Sequence, residues 1–227
     1  MKEIDEPKFL FDPYLDWAEG EGIPIVEDFG VDLNKVETRS WDRFGADGAL
    51  VHLKGRGDFL CIFLIDIVPG GKSVPQQHVF EEVIYVLEGQ GSTTVKTHDG
   101  RTHSFEWSKG SLFALPLNAT YQHFNGSGKR KARLSSTNNL PMVINLFHND
   151  DFVFDNPFVF AERQGKESFF SGEGDFIPKK PGRHMWETNF VPDVREFELV
   201  KWEKRGAGGS NMMFVLADGT MHAHSSE

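Results

Sequence analysis

Cysteine is nearly absent from this sequence, since Cys61 is the one thiol among 227 residues. A single cysteine excludes an intrachain disulfide framework and is typical of a reducing compartment. Cys61 lies in the apolar run FLCIFLIDIV, so we expect a buried structural thiol rather than a nucleophile. The N-terminus has no apolar core of signal-peptide length, and no run approaches the roughly 20 apolar residues of a membrane span. These absences predict a cytoplasmic protein without a membrane partner.

Positive charge is also scarce, with 24 Lys and Arg against 34 Asp and Glu and a net charge of −10. A nucleic-acid partner normally requires a basic patch. The dense basic run, Lys129 to Lys131 with Arg133 close behind, reads as a solvated turn. The charge balance therefore predicts no nucleic-acid partner.

Tyrosine is rare, with 3 residues against 21 phenylalanines, so phenyl rings must fill much of the core.

Helix-length periodicity is missing between Ala49 and His148. Short β-rich runs separated by turn residues occupy the segment instead: ALVHL, FLCIFLIDIV, EVIYVLEG, GSTTVKT, THSFEW, SLFALP, YQHFNGSG, ARLSSTNN and MVINLFH. This pattern predicts an all-β antiparallel sandwich or barrel and excludes an alternating βα architecture.

Composition divides the chain into three parts. Residues 1–45 mix prolines, glycines and isolated aromatics, which predicts an irregular N-terminal arm with at most a short helix around Pro13 to Glu19. Residues 46–150 hold the strand-rich barrel. Residues 151–227 form a less regular C-terminal extension with further strands.

The stretch PGGKSVPQQHVFEEVIYVLEGQG places three polar side chains at even spacing: Gln76, His78 and Glu82. Even spacing on a β-backbone puts side chains on one face, and the same face continues through Ile84 and Val86. One reading is a cluster of metal donors above an apolar floor. The other is an inherited cavity that internal hydrogen bonds now fill.

This stretch resembles the first motif of the cupin superfamily: a glycine, five residues, His-x-His, three or four residues, Glu, six residues and a glycine. Gly70, His78, Glu82 and Gly89 fall in that register, and Gln76 stands where the family has its first histidine.

The segment GSLFALPLNATYQHFN resembles the second cupin motif. Gly110, Pro116 and Asn125 match it, whereas Asn118 replaces a glycine and Tyr121 replaces the last histidine. The resemblance covers about residues 60 to 148 and implies a cupin double-stranded β-helix, a jelly-roll barrel.

Cupins that follow the pattern bind Fe, Mn, Ni or Zn through three imidazoles and a carboxylate. The resemblance therefore implies a divalent transition metal held by Gln76, His78, Glu82 and His123, since His123 shares the parity of Tyr121. Tyr121 would act as the catalytic residue that orients the substrate or transfers a proton.

TYQHFN is also similar to the His-x-His-x-Asn run of gentisate dioxygenase-like bicupins. The C-terminal His222-x-His224 pair then resembles the start of a second cupin domain, although two polar residues on a half-exposed strand are the preferred interpretation.

Different functions follow from these readings. One is a metal-dependent, dioxygenase-like oxidoreductase acting on a small organic acid or an aromatic compound, and a metal-dependent isomerase or lyase is its near alternative. The other is a non-catalytic or degenerate cupin module for small-ligand binding or oligomerisation. We expect a homodimer or a larger homo-oligomer, because cupin barrels commonly associate through sheet edges.

Overall fold

The structure is a computed structural model. It describes residues 12–55, 59–161, 167–180, 183–196, 200–201, 210–216 and 222–226. Within these ranges no helix is long and apolar enough to cross a membrane.

The largest sheet in the described chain has eight strands in the order β1-β3-β4-β10-β5-β8-β13, with β2 added beside β3. Its strands are β1 Ile25–Asp28, β2 Arg39–Trp41, β3 Ala46–Leu53, β4 Cys61–Ile67, β5 Glu82–Glu88, β8 Leu112–Ala114, β10 Ala132–Asn138 and β13 Phe190–Val191. All pairings in it are antiparallel except that of β1 with β3. The late strand β10 therefore lies between the earlier β4 and β5.

A second sheet of three strands packs its inner face against the first. Its strands are β6 Gln90–Lys96, β7 Thr102–Ser108 and β9 Thr120–Asn125, in the order β7-β6-β9. Burial alternates along β7 and β9, which is the pattern of strands with one face in a core. Aromatic and branched side chains from both sheets fill the space between them in one hydrophobic cluster. An all-β jelly-roll barrel is therefore confirmed.

The C-terminal segment forms a third sheet with the order β11-β12-β15-β14 and with β16 beside β15. Its strands are β11 Asp175–Lys180, β12 Arg183–Thr188, β14 Val200–Lys201, β15 Ser210–Leu216 and β16 His222–Ser226. The two histidines of β16 are two positions apart on one strand, opposite Val215 and Met213 of β15. Between β12 and β14 the chain returns to the first sheet, where β13 pairs with β8.

The N-terminal arm begins with helix α1, Pro13–Gly20, close to the short helix predicted there. The Asp12 carboxylate accepts hydrogen bonds from the backbone N–H groups of Tyr14 and Leu15 in the first turn, which is why the helix begins at that residue. The arm is fastened further along, where Arg133 donates to the carbonyl oxygens of Leu33 and Asn34 and forms an ion pair with Asp66. Arg133 is therefore buried, and only residues 129–131 of the basic run form the exposed turn.

The predicted strand MVINLFH is wrong. The structure forms helix α2, Leu140–Phe147, followed by helix α3, Asp150–Phe154. Pro141 lies in the first turn of α2, where its fixed φ and missing N–H favour a helix start. Leu140 and Ile144, four residues apart, are buried on one face, which is helical spacing.

Candidate functional site

A buried polar cluster lies where the loop before β5 meets strands β5, β9 and β10. It contains His78 from the loop, Glu82 at the start of β5, Tyr121 on β9 and Ser136 on β10. All four are buried. Ile84 and Val86 continue the Glu82 face of β5 and are fully buried, so the predicted apolar floor is present.

The imidazole ring of His78 has a contact at each of its two nitrogens and a stacked ring on one face. Its Nδ1 atom lies 2.9 Å from the carbonyl oxygen of Phe80, so this nitrogen carries a proton and donates it. Its Nε2 atom lies 3.0 Å from Glu82 Oε1 and 3.1 Å from the Tyr121 hydroxyl. The Phe80 ring stacks on the imidazole at 3.6 Å and 6°. The ring therefore has one orientation, with both nitrogens facing hydrogen-bonding partners.

Glu82 is the negative centre of the cluster. The Ser136 hydroxyl donates to its Oε2 atom at 2.6 Å, while His78 and Tyr121 also hydrogen-bond to the carboxylate. Burial alone would raise the pKa of Glu82, but the charge of His78 and these hydrogen bonds outweigh it and hold the pKa below its ordinary value. Both carboxylate oxygens have protein partners.

Tyr121 enters the cluster as a phenol. Burial, followed by the nearby Glu82 carboxylate, raises the pKa of Tyr121 well above its ordinary value. Its hydroxyl hydrogen-bonds to Glu82 and lies beside His78 Nε2. A phenol in this position is a proton donor to the carboxylate rather than an anionic ligand.

His123 lies deeper, next to the Tyr121 ring at a centroid distance of 5.1 Å. Its Nδ1 atom is 2.8 Å from the Thr93 hydroxyl, which also accepts the indole N–H of Trp107 at 2.9 Å. Its Nε2 atom is buried and has no hydrogen-bond partner among the residues that the structure describes. Burial lowers the pKa of His123 to about 4, so the ring is neutral near pH 7.

Gln76 is attached differently from the other predicted site residues. Its backbone pairs with Tyr121, but its side-chain Nε2 atom donates to the Arg43 carbonyl at 2.8 Å and contacts the carbonyls of Val74 and Pro75 at 3.3 Å. The Gln76 amide is thus hydrogen-bonded to the loop and to the end of the arm, with no side-chain hydrogen bond to His78 or Glu82 among the described contacts.

The metal centre that the fold implies sets a requirement for its donor atoms. Such a centre needs several lone pairs directed at one point. Here Tyr121 is a neutral phenol, and the Gln76 amide group is bound to backbone carbonyls. Within the described ranges, no three His, Cys, Asp or Glu side chains are grouped so that they could hold a metal ion. The side chains as arranged do not fit the four-donor centre.

Sequence reasoning missed Ser136 and the stacking role of Phe80. Ser136 is 54 positions from Glu82, and strand pairing between β5 and β10 alone brings the two together. Nothing in the local sequence signals that contact. Phe80 and His78 are two residues apart in the sequence, and this spacing could have predicted a contact between their rings.

A cavity of about 730 Å³ opens beside the cluster, between the end of α1, strand β2 and the Gln76 loop. Gln76 and Gln77 line it, together with residues of the arm: Gly20, Glu21, Gly22, Ser40, Trp41, Asp42 and Arg43. The lining does not include His78, Glu82, Tyr121 or His123. The cavity is therefore separate from the buried cluster, although Gln76 adjoins both.

Several solved structures are similar to this chain. Vicilin from Corylus avellana (hazelnut) is 14% identical, with 45% of this chain and 31% of that chain covered and a TM-score of 0.39. The Schizosaccharomyces pombe Cnp3 cupin domain is 18% identical, with 53% and 84% covered and a TM-score of 0.41. Salicylate 1,2-dioxygenase from Pseudaminobacter salicylatoxidans is 17% identical, with 44% and 29% covered and a TM-score of 0.38.

The aligned region spans about a third of the vicilin structures. Similarity at this level does not extend to function. A search of curated proteins gave no significant match. The family model described as cupin matches residues 56–161, which hold strands β4 to β10. The match and the sheet topology agree, and this chain has the fold of the cupin superfamily.

Proposed function

We propose that this barrel is a non-catalytic cupin module that binds a small molecule without a resident transition metal. The observation that carries the proposal is the closure of the buried cluster. His78, Glu82, Tyr121 and Ser136 use their polar atoms on one another and on the Phe80 carbonyl. A buried network whose members are all paired stabilises a fold and leaves few lone pairs for a metal.

The small-ligand part of the proposal is supported by the cavity beside Gln76. Its volume of about 730 Å³ lies within the range of small-molecule sites, roughly 300 to 1,000 Å³. Polar side chains surround it, and a partly buried aromatic ring, Phe154, contributes an apolar wall. The metal-dependent oxidoreductase, isomerase or lyase implied by the resemblance stays a prediction, which the following experiment decides.

Metal analysis of the full chain, purified without chelators and then equilibrated with Fe(II), Mn(II), Ni(II) or Zn(II), tests the proposal. We expect sub-stoichiometric metal that His78→Ala leaves unchanged. His98→Ala, at an exposed position in a turn, is the matched control. Glu82→Gln gives a second, milder change should His78→Ala fail to fold. Near-stoichiometric metal that both cluster variants lose and His98→Ala retains would contradict the proposal and favour the metal-dependent enzyme.

A further inference from the structure

We infer that the cavity between the N-terminal arm and the Gln76 loop binds a neutral polyhydroxylated molecule, a polyol or a sugar. The inference rests on the proposed function, because it names the site and the ligand class of a module that binds small molecules. It places the ligand outside the barrel interior, in a site that the arm helps to build.

The wall that the arm contributes is fixed by one carboxylate. Glu21 accepts the indole N–H of Trp41 at 2.6 Å and two N–H groups of Arg43 at 2.5 to 3.0 Å. The Arg43 guanidinium also lies over the Phe154 ring at 4.1 Å and over the Trp17 ring at 5.4 Å. The Arg43 side chain is therefore held in place before any ligand binds, which reduces the conformational entropy lost on binding.

Two fixed groups at this cavity have hydrogen-bonding capacity left over. Gln76 is 9% exposed, and its Nε2 atom is bound to backbone carbonyls, while no described group donates to its Oε1 atom. Arg43 uses its Nε and Nη2 atoms on Glu21, and its Nη1 atom has no acceptor among the described residues. The cavity thus offers an acceptor and a donor, both preorganised.

The charges select a neutral ligand. The single guanidinium is already neutralised by Glu21, and Asp42 adds an exposed carboxylate to the same lining. The chain as a whole carries a net charge of −10, which repels anions further. Hydroxyl groups can donate to Gln76 Oε1 and Asp42 and can accept from Arg43 Nη1, so one polyol satisfies all three.

Titration of the ¹⁵N-labelled full chain with D-mannitol tests the inference, with sodium acetate and methylammonium chloride as the anionic and cationic comparisons. The indole N–H signal of Trp41, identified by its loss in Trp41→Phe, reports on the cavity wall. We expect saturable shifts with mannitol alone. Gln76→Met should weaken binding about fivefold, as loss of one hydrogen bond predicts, and Asp42→Asn should weaken it by a similar factor because a hydrogen bond to a carboxylate is about twice as strong as one to a neutral amide oxygen. Asp16→Asn, on the exposed face of α1, is the charge-matched control and should change nothing.

The inference is overturned by the absence of saturable shifts with mannitol, by saturable binding of acetate or methylammonium, or by binding that both Gln76→Met and Asp42→Asn leave intact. Asp42 is exposed, so Asp42→Asn keeps the test valid should Gln76→Met unfold. Mannitol binding that Glu82→Gln abolishes and Asp42→Asn spares would place the ligand in the barrel and overturn this site alone. Stoichiometric metal in the full chain would overturn the proposed function instead.

Discussion

His123 is a neutral imidazole inside a barrel, and within the described ranges its buried Nε2 atom has no hydrogen-bond partner. Burying a polar atom without a hydrogen bond costs folding free energy. Burial also disfavours the charged form of the ring, so the folded chain resists protonation of His123. In the unfolded chain the histidine takes up a proton near its ordinary pKa of 6.5, whereas in the folded chain the pKa is about 4. The unfolded state therefore binds more protons between these values, and folding weakens as the pH falls through that window.

We expect His123→Leu to reduce this pH dependence. Between pH 7 and pH 5 the wild-type chain should lose about 2 kcal/mol of unfolding free energy through His123, and the leucine variant should not. Urea unfolding at the two pH values measures the difference. His98→Leu, at an exposed position, should keep the wild-type slope. An identical slope in His123→Leu and the wild type would show that the buried imidazole does not titrate in this way.

Glu82 acts in the same direction as His123, over a lower range of pH. Its folded-state pKa lies below the ordinary value of 4.5, so its ionised form stabilises the fold above that pH, and the contribution is lost as the pH falls through the folded-state pKa.

Glu82→Gln should lower the unfolding free energy at pH 7 by about 1 to 3 kcal/mol, because the hydrogen bonds that His78, Tyr121 and Ser136 make to a buried carboxylate are weakened. The gap between variant and wild type should narrow below pH 4.5. Urea unfolding from pH 7 to pH 3 tests both points, with Glu106→Gln on the exposed side of β7 as control. A gap that stays constant over this range would contradict a lowered pKa of Glu82 in the folded chain.

At this scale the sequence predicted part of the cluster. The sequence grouped His78 with Glu82, and the structure joins them by a hydrogen bond, although His78 lies in the loop before β5 and not on the strand. Ile84 and Val86 of β5 are buried. The direction of the Gln76 amide could not be predicted, because it depends on the Arg43 carbonyl, 33 positions away. Which residues would hold a metal stays a prediction.

Among the elements, helix α2 shows how a local pattern can mislead. MVINLFH is rich in β-branched and aromatic residues, and yet Pro141 and a left-handed residue at the C-terminus make it a helix. His148 ends the helix with φ of 50°, a conformation that costs most side chains about 1 to 2 kcal/mol. The strands that precede α2 could be predicted from alternation and turn residues. The end of α2 could not, because a histidine occupies the left-handed position that glycine usually takes.

His148→Gly should therefore stabilise the chain by about 0.5 to 1 kcal/mol, since glycine adopts the left-handed conformation freely but loses more entropy on folding. Asn118 has a similar φ of 58°, but its side-chain amide donates to the carbonyls of Asn156 and Phe158. Asn118→Gly should destabilise for that reason. Thermal unfolding of the two variants checks the opposite signs, and a loss of stability in His148→Gly would contradict the assignment.

For the whole molecule, the fold was predictable because motif spacing and strand alternation point to the same architecture. The limits of the barrel along the chain were harder to predict. The predicted barrel segment 46–150 excludes β13, which the structure pairs with β8. Val191 packs with Val83, Leu112 and Ala114, while Phe170 and Phe190 join the main core. The pairing of β13 with β8 joins residues more than 70 positions apart, which no local pattern encodes.

A chain ending at residue 161 should consequently be much less stable than one ending at residue 196, which keeps β13. Each large apolar side chain removed from the core costs about 1.5 to 3 kcal/mol. Soluble yield and thermal unfolding of the two truncated chains compare them directly. Equal stability would show that the C-terminal segment is not part of the folded barrel unit.

The place of β10 between β4 and β5 also bears on how the chain folds during synthesis. Strands β4 and β5 leave the ribosome first, and each then has an unpaired edge that only β10 can satisfy in the native order. Until residue 138 emerges, the half-built sheet exposes two apolar strands with free backbone groups, the feature that promotes aggregation of nascent chains. Translation speed across residues 90–138 should therefore influence the yield of folded protein.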